Sequence, residues 1–519
     1  MSASSYDVLV IGGGANGLVA AAVLAKSGKR TLLLEREETL GGQGRAVEFA
    51  PGFRAAPLGL DPGWLPDPIA AALGLRDLRR SEADADVAVL VEPGRFLALS
   101  RDGARSAEAI AAYSKADAAK WPEFTGRLRK LSGFLEALYL TPAPDISASS
   151  PAELLPLLGL ARKFRGLGRH DSIEFLRTVP VSVWELLDDW FECAPLKAAV
   201  ATGGIREHRQ GPRSGGTGFV LLHHKTGNRA PWRDGPDAFT RAAEGAARRL
   251  GAAVRTGATV KRIEVREDAV AGIVLEDGEE IAVKTVLSTA SPAATFLEWI
   301  DPVWLDPEFL HALGNIRYRG CAAYVAYALE RLPDLPGLPA IDAMGGMVSL
   351  TSSVAALERA ADAAKFGTVS EHPHVEFTVP TLHAADLAPG GKHVLIARAQ
   401  YAPYRLRDGA TWDAARTDAL AKTVTATIEA ASPCFSSRIL SQKAWSPRDL
   451  EEQFGLREGA ASQGELGLDQ ILFMRPVAGW GGHTTPIAGL YLGGVGSHPG
   501  PGILGGAGWL AAQRILSRS

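Results

Sequence analysis

The opening stretch of the chain constrains its fold most. Tyr6 to Ile11, YDVLVI, is a short apolar run of β type; GGGANG follows at once, and LVAAAVLAKSG after it is small and helix-compatible. A strand, a tight turn and a helix are expected in that order. Gly12 permits the turn, Gly14 lets the backbone approach a diphosphate, and Gly17 lets the helix pack closely on the strand. The anion then sits at the helix N-terminus, where unpaired N–H groups and the helix dipole favour negative charge. A second strand, RTLLLE, ends at Glu35, at the spacing where a carboxylate accepts hydrogen bonds from adenosine ribose hydroxyls and disfavours a 2′-phosphate. Strand, glycines, helix, strand and terminal acid fall within about thirty residues, and together they predict a Rossmann-like dinucleotide half-site in an α/β protein.

Beyond Glu35 the chain reads REETLGGQGRAVEF, and Gly41–Gly42 again lets backbone pass close to a phosphate or flavin. Arg45 reads either as a phosphate counter-charge or as a solvated loop charge. The far end of the chain repeats the logic. GLYLGG is of β type, a Gly/Pro-rich turn follows, and GAGWLAAQRIL is helix-like. Glycines from Gly500 to Gly508 let the backbone press against a flat ring system, and the helix start offers its dipole to the N1/C2 carbonyl edge of a flavin. The two ends of the chain therefore read as halves of one FAD site, and the chain as a flavin-dependent oxidoreductase.

Val8 to Ala25 is long enough to suggest a membrane span, but Gly12, Gly13, Gly14 and Gly17 would weaken a continuous spanning helix. No basic segment precedes the apolar run, so a signal peptide is not expected and a cytoplasmic location is. A chain of 519 residues exceeds one compact core and predicts two or more folding units. A net charge of −3 provides no global positive field for nucleic acid, so no nucleic-acid partner is expected. Cys193, Cys321 and Cys434 lie far apart with no CxxC pair, which argues against a redox dithiol and against a metal clamp.

From Pro62 to about Pro212 the periodicity is helical, as in SAEAIAAYSKADAAKWPEFTGRLRKLSGFLEALYL. Within it LLPLLGLARKFRGLGR joins an apolar front to Arg162, Lys163, Arg165 and Arg169; it reads as a helix with a solvated basic end, with peripheral membrane contact as the alternative. PRSGGTGFVLLHHKTGN reads as glycine-rich and then β-like. On a strand the adjacent His223 and His224 would point different ways, which argues against a metal site and leaves open a polar role near the cavity. DGPDAFTRAAEGAARRLGA reads as a helix started by Asp234 or Asp237, and a β-meander follows with turns at Glu267–Asp268 and Asp277–Gly278. Strand-like pieces and the helix TWDAARTDALAKTVTATIEAA then predict a sheet covered by helices. The expected organisation is a discontinuous FAD-binding domain from residues 1–75, 221–300 and 461–519, a mainly helical cap over 76–220, and an α+β substrate part over 301–460. A sheet floor under a helical cap would enclose an apolar substrate chamber.

GGGANGL, LLLEREETLGG, APGFR, VLSTASP, GELGLDQILFMRP and TPIAGLYLGGVGSHPGPGILGGAG resemble the bacterial phytoene desaturase superfamily of FAD oxidoreductases. Within it they are most similar to the branch named for pyridine nucleotide-disulphide oxidoreductase domain-containing protein 2. The resemblance covers nearly the whole chain and is strongest at both ends. It implies cofactor contacts at Gly12, Gly14, Ala15, Asn16, Gly17, Glu35, Arg36, Gly42, Gln43 and Arg45, with the backbone near Val260 meeting the adenine. On the carboxy-terminal side it implies Gly494, Gly496, Gly502, Ile503 and Gly506. Two departures stand out: Val495, Gly496 and Ser497 follow Gly494 where relatives often carry an acid, and Gln43 stands where many carry Arg.

The implied chemistry is desaturation or oxidation of an apolar, polyene-like molecule by hydride transfer to flavin N5, with electrons leaving to oxygen or a quinone and a proton to a nearby base or water. Glu465, Asp469, Arg475 and His498 would flank the flavin-facing turns. Arg475 is the preferred catalytic residue, because a cation near the isoalloxazine would stabilise reduced, anionic flavin. A redox-neutral double-bond isomerase and a non-catalytic flavin-bearing interaction protein remain alternatives, as does, more remotely, an amine oxidase.

Overall fold

The structure is a computed structural model that describes residues 6–143 and 151–518, with only the backbone described over 151–157. Five short strands form the sheet that the opening motif demands. Val8–Ile11 lies at its centre between Thr31–Leu34 and Val286–Ser288, with Ala253–Arg255 and Leu490–Leu492 at the edges, all parallel. The three inner strands are buried along their whole length, as parallel strands covered on both faces must be.

Alternation along the strands assigns their side chains to two layers. Val8, Val10 and Leu33 pack into helices Ala15–Lys26, Ala238–Arg249 and Gly506–Ser517. Leu9, Ile11, Leu32 and Leu34 meet Ile263, Ile273 and Leu275 of the antiparallel meander Val260–Arg266, Ala269–Leu275 and Glu280–Ala282. The expected turns close this meander, with Glu267 and Asp268 at φ 49° and 58°. Helices Ala15–Lys26 and Gly506–Ser517 touch through backbone: a Cβ on Gly508 would stand 1.9 Å from the Asn16 carbonyl oxygen, and the Gly508 N–H donates to Asn16 Oδ1 at 3.2 Å.

A second sheet of seven strands runs in the order Ile439–Trp445, Ala322–Leu329, His393–Gln400, His374–Thr378, Met347–Ser349, Ala85–Glu92 and Arg95–Ser100. Neighbours are antiparallel except Met347–Ser349 with Ala85–Glu92. The hairpin 85–100 lies inside the stretch read as mainly helical; its own alternation marks it as strand, but helical periodicity on the longer segment after it outweighed that signal. Helix Ala414–Ala431 covers one face, against Val325, Tyr327, Val375 and Phe377. At the hairpin end, Val89, Leu97 and Leu99 pack under a helical layer.

The spine of that layer is helix Lys115–Tyr139. Ser114 Oγ accepts the Asp117 N–H at its start, and Trp121, Phe124, Leu128, Leu131, Leu135 and Tyr139 recur on one buried face. Thr217–His224, expected as a strand, is a helix. It is buried nearly all round, so its sequence carries no period to separate helix from strand, and packing against Ala194–Ile205 decides. In helix Pro151–Gly166 most of the apolar front, residues 154–157, lies outside the described side chains, while Arg162, Lys163 and Arg165 are exposed. No helix among the described residues is long and apolar enough to cross a membrane.

Gly508→Ala is expected to destabilise the protein by roughly 1–3 kcal/mol through overpacking and to lower the midpoint of thermal unfolding. Gly245→Ala, where a Cβ meets nothing within 4 Å, should leave the midpoint unchanged or raise it. Scanning fluorimetry of both variants checks this, and equal midpoints would contradict it.

Candidate flavin site and adjoining chamber

A cavity of about 630 Å³ opens at the carboxyl ends of the parallel strands, where ligands of open α/β sheets bind. Its wall takes the residues that follow four strand ends: Gly12, Glu35, Thr289 and Val495. Glu35 is buried, and its carboxylate accepts the N–H groups of Gly13 at 2.6 Å and Glu37 at 3.0 Å, which fixes it at the end of its strand. Gly14 stands at the N-cap of Ala15–Lys26 and supplies no side-chain cap, so the first-turn N–H groups are left for a ligand. Opposite lies Gly42, at φ 53°, where a Cβ would come within 3.0 Å of Gly14 Cα. The cavity here is cradled by bare backbone.

Arg45 leans on the cavity wall over the Phe454 ring; Nη1 pairs with Glu37 at 3.0 Å and Nε is buried without a partner. Gln43 donates to the Ala461 carbonyl at 2.8 Å, and Arg36 sits beside Glu37 at 3.2 Å. The turn at Gly502–Leu504 is strapped by Trp64, which donates to Gly502 O and accepts from Leu504 N, both at 2.8 Å. The structure therefore brings Gly12, Gly14, Ala15, Asn16, Glu35, Arg36, Gly42, Gln43, Arg45, Val260, Gly502 and Ile503 to one wall.

Four of the expected contacts, Gly17, Gly494, Gly496 and Gly506, lie off it, each packed against a neighbouring part of the protein. A Cβ on Gly17 would strike Gly12 O at 1.8 Å, one on Gly494 the Thr289 O at 2.4 Å, one on Gly496 the Pro292 ring at 2.4 Å, and one on Gly506 the Ile503 side chain at 2.7 Å. The wall also holds Trp232, Phe239, Thr240 and Gln463, which the sequence motifs did not single out.

The four catalytic candidates are not brought to the cavity. Arg475 is wholly buried and gives its guanidinium to the carbonyls of Val495 at 3.2 Å, Gln470 at 3.0 Å, Gly464 at 3.1 Å and Ser462. Burial draws its pKa down to about 10. It braces the loop that presents Val495 and does not itself line the cavity. Glu465 is buried in an ion pair with Arg319, 3.6 Å from His208. Asp469 is half-exposed in a pair with Arg317. His498 is buried with Nε2 on the Thr141 carbonyl at 3.2 Å, and burial holds its pKa near 3.

A second, smaller chamber of about 130 Å³ shares Gly59, Asp61, Pro62, Trp232 and Pro236 with the cavity. It lies between the seven-stranded sheet, through Val87, Met347 and Thr378, and helix Ala194–Ile205, through Ala199, Val200 and Thr202. A sheet floor under helices is thus present, but the wall sets charged side chains among the apolar ones. Asp61 accepts Arg229 Nη1 at 2.7 Å and lies 3.2 Å from His224 Nδ1. Burial alone would raise the Asp61 carboxyl, yet Arg229 and His224 hold it well below the usual range.

The profile of the flavin-containing amine oxidoreductase family matches residues 16–349. The chain is 33% identical to rat pyridine nucleotide-disulfide oxidoreductase domain-containing protein 2, with 98% of this chain and 93% of the relative covered. It is 24% identical to one of the subunits of limonene dehydrogenase from Castellaniella defragrans, over 98% of this chain and 94% of that one. Its fold is similar to that of cyclohexylamine oxidase from Brevibacterium oxydans, with a TM-score of 0.56 at 15% identity and 99% of each chain covered.

The cradle fits FAD: Gly14 and Gly42 would hold the diphosphate, Glu35 the adenosine ribose, Val260 the adenine edge and Gly500–Leu504 the flavin side. Gly42→Ala adds a side chain at a left-handed backbone position and into the cradle, so FAD should bind at least about tenfold more weakly. The flavin-to-protein absorbance ratio after dialysis measures it; a fully loaded variant would refute the assignment. By its sequence, its sheet and this cradle, the chain belongs to the flavin-containing amine oxidoreductase family and is an FAD-dependent oxidoreductase.

Proposed function

We propose that the protein is a dehydrogenase of a compact, largely apolar substrate held in the chamber beside the flavin cavity. The observation that carries this reading is the shared wall of the two spaces. When bound, FAD supplies the two-electron oxidation by accepting hydride at N5. The chain's own residues shape and dry the junction. Trp232 is buried, stacks with Phe239 at 6.4 Å and lies under the Arg80 guanidinium at 3.2 Å, which immobilises the indole where substrate and cofactor meet. Leu60, Val87 and Val200 offer apolar surface to the substrate body.

Size narrows the expectation of a polyene. At roughly 10–15 Å³ per water-sized space, the chamber holds on the order of ten non-hydrogen atoms, too few to enclose a long isoprenoid. A compact apolar body is also what the name of the Castellaniella relative specifies. Oxygen or a quinone is the expected final electron acceptor.

The proton lost by the substrate is assigned to His224. Of the two chamber histidines, His383 has both nitrogens engaged, by Ser81 Oγ at 3.1 Å and Gly345 O at 2.9 Å. His224 gives Nδ1 to Asp61 and leaves Nε2 without a partner. Burial depresses its pKa to about 4, so the ring is neutral, and ionised Asp61 fixes the remaining proton on Nδ1.

The test is anaerobic mixing of FAD-loaded protein with compact cyclic and linear alkenes, alcohols and carboxylic acids, followed by flavin bleaching. Bleaching by none of them would sink the dehydrogenase reading. With an active compound, His224→Gln should slow bleaching about 100-fold at unchanged FAD content. Because the base works deprotonated and titrates near 4, the parent's rate should rise as pH climbs through that value and be flat to neutrality. An unslowed His224→Gln variant removes the histidine from the chemistry.

A further inference from the structure

We infer that the substrate carries a carboxylate or a comparable oxyanion, seated on Arg206. This rests on the reading of the chamber as the substrate site and adds the chemical class of its polar end. Four cationic side chains reach the chamber wall, Arg101, Arg206, Lys225 and Arg229, against two carboxylates, Asp61 and Asp86. Both acids are engaged within the protein: Asp61 by Arg229 and His224, and Asp86 by Lys225 at 3.3 Å. The Lys225 ammonium lowers the Asp86 pKa, and Arg229 keeps Asp61 ionised against its burial, so each is a satisfied anion. An ammonium substrate would have to displace an internal cation to reach either one.

Arg206 has no such partner. It follows helix Ala194–Ile205 as its C-cap residue and is only partly exposed. Among the described residues no hydrogen bond or ion pair engages its guanidinium, and its Nε is buried without a partner. Asp61, Asp86 and Glu376 feel its charge, but each is ion-paired with another cation, Arg229, Lys225 and Arg398 respectively. Arg101, by contrast, gives Nη1 to the Ala83 carbonyl at 2.6 Å.

An unpaired guanidinium on the chamber wall decides what can enter. Seating an apolar group against it strips its water and returns nothing. A carboxylate or phosphate-like oxyanion meets its planar fork with two parallel, charge-assisted hydrogen bonds. Val87 and Val200 on the same wall then face the hydrocarbon portion. The substrate class is therefore a short-chain or small-ring organic acid, oxidised at a carbon remote from the carboxylate.

The experiment uses FAD-loaded protein and three ligands of nearly equal size: hexanoate, hexanamide and hexylamine. Binding is read by calorimetry and by perturbation of the visible flavin spectrum. Hexanoate should bind about tenfold or more tighter than the other two, since a charge-assisted pair replaces a neutral or repulsive one. Arg206→Gln should erase that preference and Arg206→Lys retain part of it. Equal affinities in the parent, tighter hexylamine, or full selectivity in Arg206→Gln would each overturn the inference. Should Arg206→Gln fail to fold or to keep FAD, the parent's selectivity and the Arg206→Lys variant decide. Loaded protein that lacks the carboxylate preference yet is bleached by neutral compounds defeats this inference alone; loaded protein bleached by nothing defeats the dehydrogenase reading beneath it.

Discussion

Everything in the structure depends on how closely helix Ala15–Lys26 approaches its neighbours. Gly17 rests on the Gly12 carbonyl, Gly508 rests on the Asn16 carbonyl, and Gly505 leaves room for Val19, each at a distance that a Cβ would forbid. These contacts seat the helix N-terminus over the end of the central strand and tie the carboxy-terminal helix to it. The Asn16–Gly508 hydrogen bond contributes only about 0.5–1.5 kcal/mol in isolation. Its geometric effect is larger, because it joins segments almost five hundred residues apart in number and so brings Gly502 and Ile503 to the wall that Gly12 and Gly14 begin.

This explains which parts of the site were legible in the sequence. The amino-terminal half-site is local: strand, turn and helix are adjacent in the chain, so residue order fixes their geometry, and Gly12, Gly14, Glu35 and Gly42 stand on the expected wall. The glycine-rich end was legible as a motif but not residue by residue. A glycine that lines a cavity and one that only packs on protein look alike in sequence: Gly502 lines the cavity, whereas Gly494, Gly496 and Gly506 do not. Thr217–His224 was opaque for another reason, since complete burial erases the polar positions that reveal a helical period.

The catalytic candidates lie off the cavity on long-range grounds. Arg475, Glu465 and His498 lie close along the chain to the flavin-facing turns. Yet a buried polar group must be satisfied, and turns with few internal hydrogen bonds are where satisfaction is needed. Arg475 therefore serves four carbonyls of the loops it lies among. A buried ionic group beside a functional loop is as readily a brace as a reagent, and only its partners tell the two apart.

The same test, applied to the chamber, separates its charges into those that build it and those left to act. Asp61, Arg229, Asp86 and Lys225 neutralise one another and hold together segments from the loop before the cap, the sheet hairpin and the helix Thr217–His224. Arg101 gives Nη1 to the Ala83 carbonyl, and His224 Nε2 and the Arg206 guanidinium are what that accounting leaves over. They come from segments on either side of Gly211–Gly216, a stretch whose residues line neither space. The oxidising power in such a protein belongs to its cofactor. On the reading proposed above, what the chain adds is the choice of molecule, through a few unpaired polar groups at the end of an otherwise self-satisfied wall.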